Sequence, residues 1–282
     1  MGGASLVRAQ DDLDEVEMEL LLEGIYRYYG FDFRGYARSS LRRRLWRRVH
    51  EEGTGTLSGL LERVLHDPPA MERLLLDLSI SVTSMFRDPS FYARFRDRVV
   101  PLLRTYPFIR IWNAGCSSGE ETYSLAILLE EEGLYERSRI YATDINEAVL
   151  ERAKRAAFPL ENMRSYTENY VRAGGRGEFS GYYAANGRMA RFRESLGRQI
   201  VFAQHNLVSD GIFNDFHLIV CRNVMIYFGT ELQASVHRLF FDSLEPFGVL
   251  ALGQKESIRH SPYAARFEEL DGAQKLYRKV PS

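Results

Sequence analysis

Cysteine is scarce in this chain, with two residues, Cys116 and Cys221, in 282. That excludes a disulfide-stapled scaffold, and because both lie in apolar, strand-like stretches they read as core thiols of a reducing compartment. Long apolar runs are also missing. No stretch approaches the roughly 18 residues of a spanning helix, so no direct membrane insertion is expected. The opening segment, MGGASLVRAQDD, turns acidic where a secretory signal would turn apolar, and Leu6 stands where a myristoylation signal after Gly2 wants Ser or Thr. A cytoplasmic location is therefore expected. Excess charge of one sign is absent too: Lys and Arg total 37 against 38 Asp and Glu, which argues against general nucleic-acid coating. The six histidines (His50, His66, His205, His217, His237, His260) show no ligand spacing, so no metal site is expected. Internal repeats are lacking. What is present is a core-forming composition, 45% hydrophobic, in a length that suits one large domain or two modest ones.

The charges balance only in total. Residues 1–30 carry seven acids (Asp11, Asp12, Asp14, Glu15, Glu17, Glu19, Glu23) against Arg8 and Arg27. Residues 33–50 carry seven arginines (Arg34, Arg38, Arg42, Arg43, Arg44, Arg47, Arg48) and no acid. Such asymmetry points to a local basic face that meets an acidic partner. Residues 1–80 read as a helical domain. Leu13, Val16, Leu20, Leu21 and Ile25 recur at helical spacing after possible caps Asp11 and Asp12. Ser39 or Ser40 is placed to cap a second helix with Leu41, Leu45 and Val49 inward and five arginines on its other faces. A third helix fits 57–66, and Pro68-Pro69 starts a fourth. Residues 81–107 form a connecting arm and a helix, with Asp88-Pro89 as N-cap and N1 and a kink expected at Pro101.

From residue 108 to 282 the pattern alternates. Strands are predicted at 109–114, 139–143, 200–204, 216–221 and 247–252, with helices over 119–132, 146–156 and 230–245. A final pair near 265–270 and 273–279 flanks the turn dipeptide Asp271-Gly272. This predicts an α/β fold with a doubly wound, mostly parallel, seven-stranded Rossmann-like sheet. The glycine-rich stretch of about 158–199 breaks the rhythm and has no clean helix, so it reads as an inserted small β subdomain.

Ligands of such sheets bind beyond the carboxyl ends of the strands. The strand ends here deliver Ala114–Glu121, Asp144, Asn206 and Arg222-Asn223 to one rim. A phosphate-binding loop would continue Gly-Lys-Ser/Thr, whereas this turn continues Gly119-Glu120-Glu121. Two carboxylates there repel phosphate and suit a cationic ligand; the bland alternative is that they only favour the helix dipole. Asp144, 25 residues beyond Gly119, is placed for a ribose diol. Ribose, positive charge and no phosphate together describe S-adenosylmethionine.

Four blocks in order then resemble the CheR-type protein-glutamate O-methyltransferases of chemotaxis receptors. They are Thr83-Ser84-Met85-Phe86-Arg87, Ala114–Glu121 with Tyr123-Ser124-Leu125-Ala126, Ala142-Thr143-Asp144-Ile145, and Cys221–Phe228. Met85 stands where the family usually has Phe. The resemblance implies a methyl-donor site in which Gly115 belongs to the first turn, Glu121 or Glu120 faces the methionyl end, Asp144 binds ribose, and Asn206 and Leu207 line adenine. Ser81 and Thr83 lie on an arm that closes over the donor. Arg87, Arg222 and Tyr227 resemble the functional trio around the transferred methyl, with Asn223 beside Arg222. The implied partner is the cytoplasmic helical domain of chemoreceptors, met by Arg42, Arg43, Arg44, Arg47 and Arg48, of which about three can face one way. Trp46 beside them reads as an interface anchor or a core residue. A receptor tail peptide is a further implied partner of the inserted subdomain, although tail-independent action is preferred because no peptide groove is evident in the sequence. The protein is expected to be a monomer recruited to membrane receptors, with S-adenosylhomocysteine as product, no metal and no nucleic-acid partner. The competing reading is a non-catalytic S-adenosylmethionine-binding adaptor. A nucleic-acid methyltransferase is a third, disfavoured because no aromatic base clamp is evident.

Overall fold

The computed structural model describes residues 10–79, 83–259 and 261–280. Ser81, His260 and the opening residues 1–9, including Gly2, Leu6 and Arg8, lie outside the described residues. The chain divides into two compact units, one formed by 1–80 with 227–232 and the other by 81–226 with 233–282. Among the described residues no helix is long and apolar enough to cross a membrane.

The first unit holds α1 (Gln10–Tyr29), α2 (Arg38–Glu52), α3 (Leu57–His66) and α4 (Pro68–Leu78). Thr56 caps α3 by accepting a hydrogen bond from the Gly59 N–H at 2.9 Å, while the two prolines open α4. Two expectations change here. The cap of α2 is Ala37, with no side-chain bond, and Ser39 and Ser40 lie inside the helix. In α1 the buried face is Met18, Leu21, Leu22 and Ile25, whereas Leu13, Val16 and Leu20 are 49%, 42% and 55% exposed. The helix carries two apolar faces, and spacing alone cannot say which one the α3 contact selects.

The arginines of α2 also divide. Leu41, Leu45 and Val49 are buried as the spacing requires, but so are Arg44 and Arg48. Arg44 donates to the Leu78 carbonyl at 2.9 Å and lies 4.4 Å above the Tyr227 ring. Arg48 is held by Asp77 (2.5 Å) and Glu52 (3.3 Å). Hydrogen bonds from Arg73, supported by its charge and by Arg48, hold the Glu52 carboxyl down to about 2. Arg42 pairs with Asp14, and Arg47 with Asp77 and Glu51. The cationic face thus narrows from five arginines to Arg42, Arg43 and Arg47, and Trp46 is half-buried beside them. The segment 227–232 completes this unit: Ala37 N–H donates to the Tyr227 carbonyl at 2.8 Å, and Tyr36 bridges Phe228.

In the second unit α5 (Pro89–Arg98) and α6 (Val100–Leu103) break at Val99, because Pro101 cannot donate back into the preceding turn. Then come β1 (Ile109–Ala114), α7 (Glu120–Glu131), β2 (Ser138–Asp144) and α8 (Glu147–Lys154). They are followed by β3 (Ala157–Pro159), α9 (Met163–Arg172), β4 (Tyr183–Asn186) and β5 (Met189–Phe192). The chain ends with β6 (Ile200–Gln204), β7 (Phe216–Cys221), α10 (Thr230–Ser243), β8 (Leu244–Leu252), β9 (Phe267–Asp271) and β10 (Leu276–Lys279). The main sheet has seven strands in the order β6-β2-β1-β7-β8-β10-β9, and β10 is antiparallel to both neighbours while the other pairings are parallel. This is the Rossmann-like, mostly parallel sheet that the alternating pattern predicts. Strand order reverses between β1 and β7, which opens a crevice at their carboxyl ends. Buried residues of β1, β7 and β8 are apolar almost throughout, as strands covered on both faces must be.

The insertion forms a three-stranded antiparallel sheet, β3-β5-β4, but it also contains a helix, α9, contrary to expectation. Its buried face is Met163, Tyr166 and Tyr170, an aromatic stripe that the surrounding glycines obscure in sequence. The Asp271-Gly272 hairpin runs through a longer turn, organised by the Asp271 carboxylate accepting from Ala273 and Gln274 N–H groups.

Candidate functional site

The first turn after β1 is shaped by two glycines. Gly115 has φ +73° and a Cβ there would meet Val224 Cγ2 at 2.4 Å; Gly119 has φ +96° and its Cβ would meet Ala153 Cβ at 2.9 Å. Between them Ser117 takes φ 51°, and its N–H donates to Asp144 Oδ2 at 2.9 Å. The other Asp144 oxygen accepts from Asn146 N–H at 3.0 Å. Burial pushes the Asp144 carboxyl up, against the pull of backbone N–H donors from Asn146, Ser117 and Ile145. Three backbone donors leave part of the carboxylate's four-site acceptor capacity for a ribose hydroxyl.

The two acids of the turn have different surroundings. Glu121 is committed on both oxygens: Oε1 accepts from Asn113 Nδ2 at 2.9 Å and Oε2 from Arg222 Nη1 at 2.8 Å. Asn113 is locked in turn by Thr122 Oγ1, which donates to its Oδ1 at 2.6 Å. Glu120 is buried and accepts from the neutral hydroxyls of Ser118 at 2.7 Å and Tyr166 at 3.4 Å. Burial raises its pKa, and those hydroxyl bonds offset the rise only in part.

Arg222, at the end of β7, has a side chain only 1% exposed. Nη1 goes to Glu121, while Nη2 reaches Asp88 Oδ2 at 2.8 Å and the Arg87 carbonyl at 3.2 Å. The guanidinium lies 4.0 Å from the Phe91 ring centroid. Burial lowers its pKa, yet Glu121, Tyr92 and Asp88 outweigh burial and leave it raised. Asp88, expected as a helix cap, has φ 57° and makes no capping bond, so its carboxylate serves this ion pair instead. Phe86 is likewise left-handed at φ 50°. Two such residues around Arg87 cost roughly 1–3 kcal/mol each and persist only where neighbours fix them. The Phe86 N–H donates to Ser124 Oγ at 2.9 Å, and its buried ring packs on Tyr92 and Tyr170.

Asn223 (φ 62°) begins a loop bound by a carboxylate that no motif announces. Glu256 accepts N–H bonds from Asn223 (3.0 Å), Val224 (2.9 Å), Met225 (2.8 Å) and Gly253 (2.6 Å). Burial raises the Glu256 pKa despite these four donors. Asn206 uses its side-chain carbonyl to accept from Val208 N–H at 3.0 Å, and Leu207 is half-buried beside it. Arg87 and Thr83 are half-buried on the arm before α5. Tyr227 groups with the helical unit, under Arg44. Cys116 and Cys221 are buried free thiols whose pKa values burial raises. No trio of His, Cys, Asp and Glu suited to a metal ion occurs among the described residues.

The donor set fits a cationic nucleoside. Asp144 offers diol acceptors, Glu120 offers a carboxylate whose hydrogen bonds come from neutral hydroxyls, and Ser117 Oγ is buried without a partner in the same turn. Such a crevice in this sheet is that of a nucleoside-binding α/β protein. Residues 81–273 match the CheR methyltransferase SAM-binding domain and residues 16–79 the CheR methyltransferase all-alpha domain, so the chain belongs to the CheR methyltransferase family. It is an S-adenosylmethionine-dependent methyltransferase. Among its relatives, a Pseudomonas putida protein named as the methyltransferase Cher3 is 48% identical over 94% of this chain and 97% of its own. The chemotaxis protein methyltransferase of Listeria innocua is 29% identical over 83% of this chain and 87% of its own. That of Escherichia coli K12 is 28% identical over 88% and 86%.

Proposed function

We propose that this protein methylates glutamate side chains on the cytoplasmic helical domain of chemoreceptors, producing glutamate methyl esters and S-adenosylhomocysteine in chemotaxis or a related signalling pathway. The relatives named as chemotaxis methyltransferases support the pathway. The single observation that carries the chemistry is the carboxylate-lined first turn facing the switch-point crevice, with Asp144 and Glu120 both buried and, among the described residues, held by backbone N–H and hydroxyl donors rather than by a cation. When bound, S-adenosylmethionine supplies a sulfonium-activated methyl that a carboxylate oxygen takes directly, the electron pair of the broken C–S bond staying on sulfur.

In this reading Asp144 accepts from the ribose hydroxyls, and Glu120 rather than Glu121 faces the cationic methionyl end, since both Glu121 oxygens are taken. Gly115 keeps the turn free of a side chain, Thr83 and Ser81 belong to the arm, and Asn206, Leu207 and Asn223 line the nucleoside. A glutamate acceptor, with an ordinary pKa near ~4.3, is already anionic at neutral pH and needs no general base. The protein therefore orients and desolvates it. Arg87 holds one acceptor oxygen while the other attacks. Tyr227 is retained as a third member of the group on sequence resemblance alone. The basic face of Arg42, Arg43 and Arg47 would meet the acidic receptor helices.

Incubation with methyl-labelled S-adenosylmethionine and receptor-containing membranes, followed by mild alkali, tests this. Labelled methanol is expected. Donor binding without alkali-labile label would leave an adaptor and overturn the proposal. At the donor site, Asp144→Ala is expected to weaken S-adenosylmethionine binding at least tenfold, as loss of a hydrogen-bonded charge does, with the melting transition retained; unchanged affinity by calorimetry would remove the ribose role.

A further inference from the structure

Arg222 carries an arginine fork at a strand end, the place where a substrate-binding cation is expected, yet its fork is already occupied. Nη1 is held by Glu121, and Nη2 is shared between the Asp88 carboxylate and the Arg87 carbonyl. One guanidinium face rests on Phe91, and Nε is buried without a partner. A group so enclosed is poorly placed to grip a second carboxylate. What it does grip is the backbone of the arm at Arg87, from both the carbonyl and the next side chain.

The arm needs that grip. Phe86 and Asp88 both hold left-handed backbone around Arg87, a conformation that relaxes unless it is over-determined. Two ties oppose relaxation: Ser124 Oγ accepts from the Phe86 N–H on one side, and Arg222 binds Asp88 on the other. Ser124 itself is fixed by donating to the Glu120 carbonyl at 2.7 Å. Both ties thus run to the first turn of α7, whose residues Glu120 and Glu121 flank the donor crevice.

We propose that Asp88 is a positioning residue of methyl transfer: through Arg222 and Glu121 it locks the arm backbone at Arg87 to the first turn of α7. This rests on the role proposed above for Arg87. The clamp couples the acceptor-holding side chain to the donor site, so that its loss disturbs alignment of the two reactants more than the binding of either one.

The test compares Asp88→Asn and Asp88→Glu in the full chain. Hydrogen exchange of the protein without ligand reads the clamp directly. In Asp88→Asn the Phe86 amide is expected to exchange at least ~10-fold faster, as local opening allows, while the Ser117 and Asn146 amides keep their protection. S-adenosylmethionine affinity by calorimetry is expected to stay within ~2-fold, and kcat on receptor-containing membranes to fall about 10- to 100-fold, the cost of a small misalignment. Asp88→Glu, which restores the charge, is expected to recover most of both. Unchanged exchange at Phe86, or faster exchange with unchanged kcat, would overturn the proposal. If Asp88→Asn unfolds globally, Asp88→Glu decides, because a folded variant with neither protection nor turnover recovered counts against a charge clamp. Should the wild type form no alkali-labile ester, the acceptor reading fails, and Asp88 then stands or falls on exchange.

Discussion

His237 is buried on α10 with Nε2 unpartnered, and burial holds its pKa down to about 4. The imidazole is therefore neutral in the folded chain between pH 6.5 and about 4, a window in which it is protonated only after unfolding. Its contribution is complete above pH 6.5 and is lost as pH falls toward 4, a loss of about 3 kcal/mol over that window. His237→Leu is expected to flatten the slope of melting temperature between pH 4 and 6.5 relative to wild type; parallel slopes would refute it. Individual residues are also where the sequence was hardest to read. Asp144 and the glycines of the first turn were legible because their spacing follows from the chemistry of a strand-to-helix turn. Asp88 was not: before a proline it resembles a cap, and only the fold reveals Arg222, 134 positions later, as its partner. Glu256 carries no local signal either, since its four partners are backbone N–H groups of two different loops.

The central strands β1 and β7 were readable to the residue because strands buried on both faces are continuous apolar runs, whereas β8 begins at Leu244, inside the stretch expected to end a helix over 230–245. Amphipathic α1 was harder. It offers Leu13, Val16 and Leu20 on one face and Met18, Leu21, Leu22 and Ile25 on another, and only the second is buried. Met18→Ala is expected to cost about 2–5 kcal/mol by denaturant titration, and Leu20→Ala no more than ~0.5 kcal/mol; reversed magnitudes would reinstate the first face. At the far end of α7, Glu131 gathers the inserted subdomain. Tyr170, Tyr182 and Arg96 donate to it from their side chains, and Arg176 from its backbone N–H. Glu131→Gln leaves Arg96 short of one counter-charge but Glu132 remains on its Nη1 at 2.7 Å. A loss of about 1–3 kcal/mol is therefore expected rather than the larger penalty of an orphaned buried cation.

For the whole molecule, the balance of acids and arginines noted in the sequence resolves mostly into internal pairs. Arg34, Arg38 and Arg42 bind acids of α1 and Asp32, and Arg48 binds Asp77. Arg42, Arg43 and Arg47 keep part of their side chains in solvent, and they are the residues on which the proposed receptor contact rests. Their joint replacement by Ala is expected to weaken binding to receptor-containing membranes roughly tenfold, more at low salt than at high. S-adenosylmethionine affinity should not change. Arg44→Ala, at a buried position, should lower the melting temperature instead.

The return of residues 227–232 to the helical unit bears on synthesis. At ~5–20 residues per second, roughly 150 residues and ~8–30 s separate the emergence of residue 80 from that of the segment that supplies Tyr227 and Phe228. Until then Tyr36 lacks its bridge and the Arg44 guanidinium its aromatic cover. The helical unit is thus completed only when a segment roughly 150 residues later in the chain has been made, so its folding is tied to synthesis of most of the second unit.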